Sequence, residues 1–239
     1  ESRSNFIPSP FGRAKRGPGG RGEGSVLEQL DPAILKAAKM LGLFALLGMG
    51  TVGLFHAMTA SRIAANERAF LLHSLQALVP EGSYDNDLLT DRIEITDKAA
   101  FGSAQPVPVY RARKGGEPMV AVVSAIAPDG YSGDIKLLVA VKADGTLAGV
   151  RVVGHKETPG LGDGIEESRS RWIHGFDGRS LDDPTEVQWK VRRDAGRFDQ
   201  FAGATITPRA VVKAVLKTLQ YCRDHRDELF APPGTEGHE

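Results

Sequence analysis

Apolar and polar residues change rhythm three times along this chain. Met40 to Ala60 reads MLGLFALLGMGTVGLFHAMTA, without a formal charge. At 1.5 Å per residue these 21 positions reach roughly 31 Å, about one hydrocarbon core, which predicts a membrane-crossing helix. Beyond it Ile63, Phe70, Leu71, Leu75, Leu78 and Val79 keep helical spacing until Pro80 stops the pattern. Asp31-Pro32 is the start signal, ahead of Ile34 and Leu35. The rhythm then becomes that of strands over Arg92–Thr96, Val107–Arg113, Met119–Ala127, Ile135–Val141 and Leu147–Val153. Glu117-Pro118, Pro128-Asp129-Gly130 and Asp144-Gly145 are the turns between them. A short helix is expected over Ile165–Phe176 and one more strand over Val187–Val191. Val211, Val212, Val215, Leu216 and Leu219 then mark a final helix.

Grouped strands with helices at the ends give an α+β fold: a single N-terminal transmembrane helix, then an outer domain whose antiparallel sheet is flanked by helices. The expected organisation is a disordered basic tail over 1–32 and an anchor helix over 33–80. The outer domain covers 81–231, and 232–239 form a disordered tail. Gly42, Gly48, Gly50 and Gly53 are tolerated in lipid, and Gly50 and Gly53 fall near one face where another helix can pack. His56 reads as an interfacial residue. A cleaved signal peptide is the competing reading, but the apolar run is too long for one and 39 residues precede it.

Charge sets the orientation. Arg3, Arg13, Lys15, Arg16, Arg21, Lys36 and Lys39 precede the span, whereas the twenty residues after it hold only Arg62 and Arg68. The positive-inside rule puts the N-terminus in the cytoplasm and the large domain outside, which in a Gram-negative cell is the periplasm. The formal net charge is zero, so no nucleic-acid partner is implied. A lone cysteine, Cys222, forms no internal disulfide, and it is expected as a packed or partly exposed helix residue. The first residue is Glu, which suggests a processed or trimmed start.

Two stretches carry candidate chemistry. The first is DQFAGATITP, Asp199 to Pro208. Pro208 fits a first helical position and Thr207 the N-cap before it. Gly203 lets the backbone pass close to a bulky group, and Ala204 keeps that approach clear. Small residues before a helix N-terminus suit a phosphate, although an ordinary capped helix has the same wording. The second is GHKETPGLG, Gly154 to Gly162. His155 and Glu157 can be read as metal ligands or as an acid/base pair. Pro159 ends the strand, however, and a metal needs more ligands. On composition the stretch is a Pro-Gly turn with Thr158 or Asp163 capping the next helix.

The first stretch resembles the flavinylation motif of FMN-binding domains, with Asp199, Gly203, Ala204 and Thr205 in register and Thr207 as acceptor. Ala202 stands where that family usually has Ser or Thr. HKETPGLG, APDGYSG (Ala127–Gly133), FDQFAGATITP and YDNDLL are similar to the G subunit of the Rnf (Rsx) electron-transport complex. The related C subunit of the sodium-pumping NADH:quinone reductase shares the flavin domain and its threonine linkage. The resemblance implies FMN held through a phosphoester on Thr207 and installed by a separate flavin transferase. It places Thr158, Gly160 and Leu161 along the flavin, with Tyr131 and Ser132 opposite and Glu157 and His155 in the same loop. Leu161 and Tyr131 would offer the apolar and aromatic faces that a flat ring wants. Gly160 and Gly162 would let backbone amides reach the ring edge.

The implied function is a membrane-anchored electron carrier with no substrate chemistry of its own. It would be part of a complex that couples NADH/ferredoxin electron flow to sodium or proton movement. The implied partners are the other Rnf subunits, including a second membrane protein with covalent FMN, and the lipid bilayer. A non-redox periplasmic scaffold on one anchor is the alternative, and a hydrolase using His155 and Glu157 is a third reading.

Overall fold

The computed structural model describes residues 32–79 and 82–231. The expected tails up to Asp31 and over 232–239, the start signal at Asp31 and the stop at Pro80 lie outside them. The chain divides into two units, Glu1–Ser61 and Arg62–Glu239.

Helix α1 runs from Pro32 to Leu78, 47 residues without a break. In the first unit its side chains are exposed all round, with Leu46 75%, Met49 78% and Phe44 68% accessible. So much apolar surface is stable in lipid and not in water. Two of its hydroxyls bond to carbonyls one turn back. The Thr51 hydroxyl donates to the Leu47 carbonyl at 2.7 Å and Thr59 to that of Phe55 at 2.8 Å, as a medium without water requires.

In the second unit, five strands form one antiparallel sheet in sequence order: β1 (Arg92–Ile95), β2 (Val107–Lys114), β3 (Glu117–Ala127), β4 (Ile135–Lys142) and β5 (Leu147–Gly154). The strands begin and end close to the positions expected from alternation, but Glu117-Pro118, expected as a turn, instead opens β3, paired with Lys114 and Arg113. Val123 pairs with Val139, and their neighbours Val122 and Leu138 point to the opposite face. Both faces are covered, which is why β3 and β4 read as nearly unbroken apolar runs. One face carries the end of α1, through Leu75 and Leu78, with Val79, Leu88 and Tyr110. The other carries the short α2 (Lys98–Phe101) and the long α3 (Ile206–Asp224), which buries Val211, Val212, Val215 and Leu219. The short α4 (Arg226–Leu229) follows.

The helix expected over Ile165–Phe176 is instead two 3-10 turns, Asp163–Ile165 and Trp172–Phe176. The Ser170 hydroxyl donates to the Gly164 carbonyl at 2.6 Å and accepts from the Trp172 amide at 3.1 Å, so side chains take backbone bonds that a helix would need. The strand expected over Val187–Val191 does not form either. A 3-10 turn occupies Glu186–Gln188, and Val191 makes a single bridge to Phe198. The Trp189 indole donates to the Ser180 and Pro184 carbonyls and stacks among Phe176 and Phe198, which bends the segment inward.

Candidate functional site

Three segments meet beside the first turn of α3: the β3–β4 loop, the loop that leaves β5, and the chain entering the helix. Together they enclose a cavity of about 360 Å³. Tyr131 comes from the first. Glu157, Thr158, Leu161 and Gly162 come from the second, and Gly203 to Thr207 from the third.

The β3–β4 loop is tied to the helix by an ion pair between Asp129 and Lys213 at 2.5 Å. The Lys213 ammonium holds the Asp129 carboxyl below its ordinary range. The loop after β5 closes on itself, since the Leu161 and Gly162 amides both donate to the Thr158 carbonyl, at 3.1 and 3.0 Å. The Asp163 carboxylate accepts from the Gly160 amide at 2.8 Å. Gly203 sits at φ +79, a left-handed conformation open to glycine, and Leu161 lies near where a side chain would start.

Thr207 does not cap α3. The helix begins at Ile206 after Thr205, which already has αR angles, so Thr207 and Pro208 both lie inside the first turn. There proline still costs no helical hydrogen bond. Where a capping hydroxyl would accept a backbone N–H, the Thr207 hydroxyl donates, and its partner is the Glu157 carboxylate fifty residues away in sequence. Both side chains are buried, Thr207 at 1% and Glu157 at 5% exposure. The other Glu157 oxygen accepts the Ser132 amide at 2.9 Å. The Glu157 amide donates to His155 Nδ1 at 3.0 Å, and His155 Nε2 lies 2.7 Å from Glu166. That contact, followed by the Ser168 hydroxyl, lowers the Glu166 carboxyl below its usual range.

Gly162 backs this pair. A Cβ there would stand 2.9 Å from Glu157 Cβ and Oε2 and 3.0 Å from Thr207 Oγ1. Tyr131 and Leu161 are partly open to solvent, at 69% and 48%, as is Ile206 at 44%. The cavity therefore has an apolar mouth and a polar floor. Leu161 also borders a more open cleft shared with Gly160, Phe201 and Ala202.

The residues singled out in the sequence thus separate into groups. Tyr131, Glu157, Thr158, Leu161, Gly203, Ala204, Thr205 and Thr207 share the cavity wall. Ser132 and His155 stand behind it and hold Glu157. Gly160 faces the neighbouring cleft. Asp199 lies outside both, paired with Arg192 at 2.9 Å, and its carbonyl takes the Trp172 indole N–H. Arg193, which no motif marks, brings its guanidinium to 3.5 Å from the Thr205 hydroxyl at the cavity rim. His155 and Glu157 do not face one another as an acid/base pair, since the contact between them runs through the Glu157 backbone.

A flavin mononucleotide suits these residues. The apolar mouth matches a flat ring, and the floor offers a hydroxyl. The first-turn amides of α3, without helical partners, offer donors to a phosphate.

Residues 29–78 match the family model of the RnfG N-terminal region, and residues 130–220 match that of the FMN-binding domain. The G subunit of the ion-translocating oxidoreductase complex of Pseudomonas aeruginosa is 51% identical over 207 residues, which cover 87% of this chain and 97% of the relative. The same protein of Shewanella loihica is 44% identical over 201 residues, 84% of this chain and 95% of the relative. That of Vibrio cholerae is 43% identical over 201 residues, 84% and 96% respectively.

Proposed function

This chain belongs to the RnfG family, the G subunits of ion-translocating oxidoreductase complexes, and from that membership we propose that it carries FMN as a phosphoester on Thr207 and relays electrons within the complex. One observation carries the assignment: a buried threonine hydroxyl on the floor of an apolar cavity, in the first turn of a long helix. The phosphate would sit against the α3 amides and the Arg193 guanidinium, both of which favour an anion. Tyr131, Leu161 and Ile206 would cover the ring faces, and Thr158 and Gly203 would shape its edge.

FMN supplies a ring that takes up and gives back electrons. The chain's own residues hold that ring at one place and leave an edge open through the solvent-exposed mouth. An exposed edge lets a neighbouring centre come close. A covalent bond keeps the group from diffusing away, which matters in a periplasm without a flavin pool. In this reading α1 crosses the inner membrane with its N-terminus in the cytoplasm and the sheet domain in the periplasm. The partners are the other Rnf subunits, among them a second membrane protein with covalent FMN, and a flavin transferase for maturation. The complex as a whole would couple NADH/ferredoxin electron flow to sodium or proton movement.

Ultraviolet fluorescence of the denatured band tests this. The chain co-expressed with a flavin transferase should glow, and Thr207→Val should be dark while remaining folded. A bright Thr207→Val band would move the attachment elsewhere, and a dark parent band would favour a scaffold without flavin.

A further inference from the structure

We propose that Glu157 is the base that takes the proton of the Thr207 hydroxyl when the flavin phosphate is joined to it. The proposal rests on the reading of Thr207 as the FMN-bearing residue and deepens it by giving the acceptor chain a part in its own modification.

A threonine hydroxyl is a weak nucleophile at neutral pH and needs a base beside it. Glu157 occupies that place. One of its oxygens receives the Thr207 O–H, and the other is fixed by the Ser132 amide at 2.9 Å. The two oxygens thus have separate tasks, one held by backbone and one on the atom that reacts. A hydroxyl serving helix structure alone would bond a backbone group, accepting an amide as a cap or donating to the carbonyl one turn back, as Thr51 does to Leu47. This one donates to a carboxylate that is itself buried at 5% exposure. Burying a carboxylate costs stability unless its partners compensate, so its retention here calls for a role.

The surroundings hold the pair together. His155 is a positioning residue. Its Nδ1 accepts the Glu157 amide, so in the neutral ring the proton lies on Nε2 and is donated to Glu166. Two glycines leave room for the carboxylate. A Cβ at Gly162 would stand 2.9 Å from Oε2, and one at Gly130 would stand 3.0 Å from Oε1. Thr207 borders the cavity, so a phosphorus arriving through it meets the oxygen that Glu157 already holds.

The step balances with a flavin dinucleotide pyrophosphate as donor. Thr207 Oγ attacks the phosphorus that bears the riboflavin. The Oγ–P bond forms, and the P–O bond to the second phosphate breaks. The nucleoside monophosphate leaves with the electron pair, and the hydroxyl proton passes to Glu157 Oε2. Nothing is oxidised or reduced. The carboxyl ends neutral beside the new phosphodiester, so two anions are not left facing each other in a buried site.

The test follows flavin attachment in time. The unflavinylated full chain in detergent is mixed with purified flavin transferase and flavin adenine dinucleotide, and intact mass and the modified peptide are read at intervals. The parent chain should gain FMN on Thr207. Glu157→Gln, with the same melting profile, should gain it about 100-fold more slowly or worse, the range expected for a missing general base. Glu157→Ala should be equally slow, and added formate, which fits the vacated space, should restore at least tenfold. If the amide variant does not fold, Glu157→Ala and its rescue decide alone. A folded Gln or Ala variant modified at the parent rate, or an Ala variant that formate does not help, overturns the role of Glu157. A parent chain that gains no mass at Thr207 refutes instead the reading on which the proposal stands.

Discussion

Adding one methyl group at Gly162 tests the packing at the cavity floor. Gly162 has φ −88 and ψ −17, angles that any residue adopts, so the backbone does not object to a side chain. On that ground alone Gly162→Ala would stabilise the fold by about 0.4–1 kcal/mol, through a less flexible unfolded chain. The space says the reverse. The new Cβ would meet Glu157 Cβ at 2.9 Å, Glu157 Oε2 at 2.9 Å and Thr207 Oγ1 at 3.0 Å. None of these is the free end of a long side chain. The carboxylate is pinned by Ser132 and Thr207, and Thr207 is fixed in a helix. Overpacking of this kind costs about 1–3 kcal/mol. The balance is a net loss of roughly 1–2 kcal/mol, or about 2–8 °C in melting temperature for a domain of this size. Gly175→Ala is the control, because nothing among the described residues lies within 4 Å of its Cβ position. Melting curves of the unflavinylated chains in detergent, with flavin occupancy by intact mass, read both effects. Gly162→Ala should melt below the parent and incorporate less flavin, while Gly175→Ala should do neither. A Gly162→Ala chain as stable as the parent and fully flavinylated would refute the floor described here.

Further outcomes follow from the same geometry. Thr207→Ser keeps the hydroxyl and should keep the flavin, as a fluorescent denatured band. Leu161→Ala should retain the flavin and shift its reduction potential in a redox titration, and an unchanged titration would mean that Leu161 does not touch the ring. Cys222 is 3% exposed, and burial pushes its thiol up to about 12, so it should resist thiol reagents at neutral pH until the domain unfolds. The Glu166 carboxyl lies below its ordinary range because of His155 and then Ser168. A lowered carboxyl stabilises the fold above the usual Glu value of about 4.3 and loses that contribution as pH falls through its folded value. Melting temperature should therefore drop on acidification in that window, and Glu166→Gln should flatten the drop.

The parts of the fold visible in the sequence are those where one local rule acts alone. Alternation and the Asp-Gly turns at Asp129-Gly130 and Asp144-Gly145 mark the strands from Arg92 to Gly154, and valine and leucine spacing marks α3. The segment from Asp163 to Asp194 departs from its local pattern because nonlocal contacts decide it. Ser170 takes over backbone bonds, and the Trp189 indole is drawn under Phe176 and Phe198. No periodicity encodes either event.

The site divides in the same way. Thr207 and the Thr158–Gly162 loop are legible through their resemblance to a family motif. The hydrogen bond from Thr207 to Glu157 spans fifty residues and leaves no local trace. That is why Thr207 reads as a cap, the local use of a threonine before proline. Gly162 reads as a place where amides approach a ring, and it is also the clearance that two buried side chains require. Arg193 lies in the polar run Arg192 to Arg197, whose spacing says nothing of the cavity rim it reaches.

The most direct check is the intact mass of the matured full chain, followed by sequencing of the peptide that contains Thr207. One added FMN, less the water lost in forming the ester, should be found on that residue. An unmodified Thr207 peptide from chain matured with an active flavin transferase would contradict the assignment.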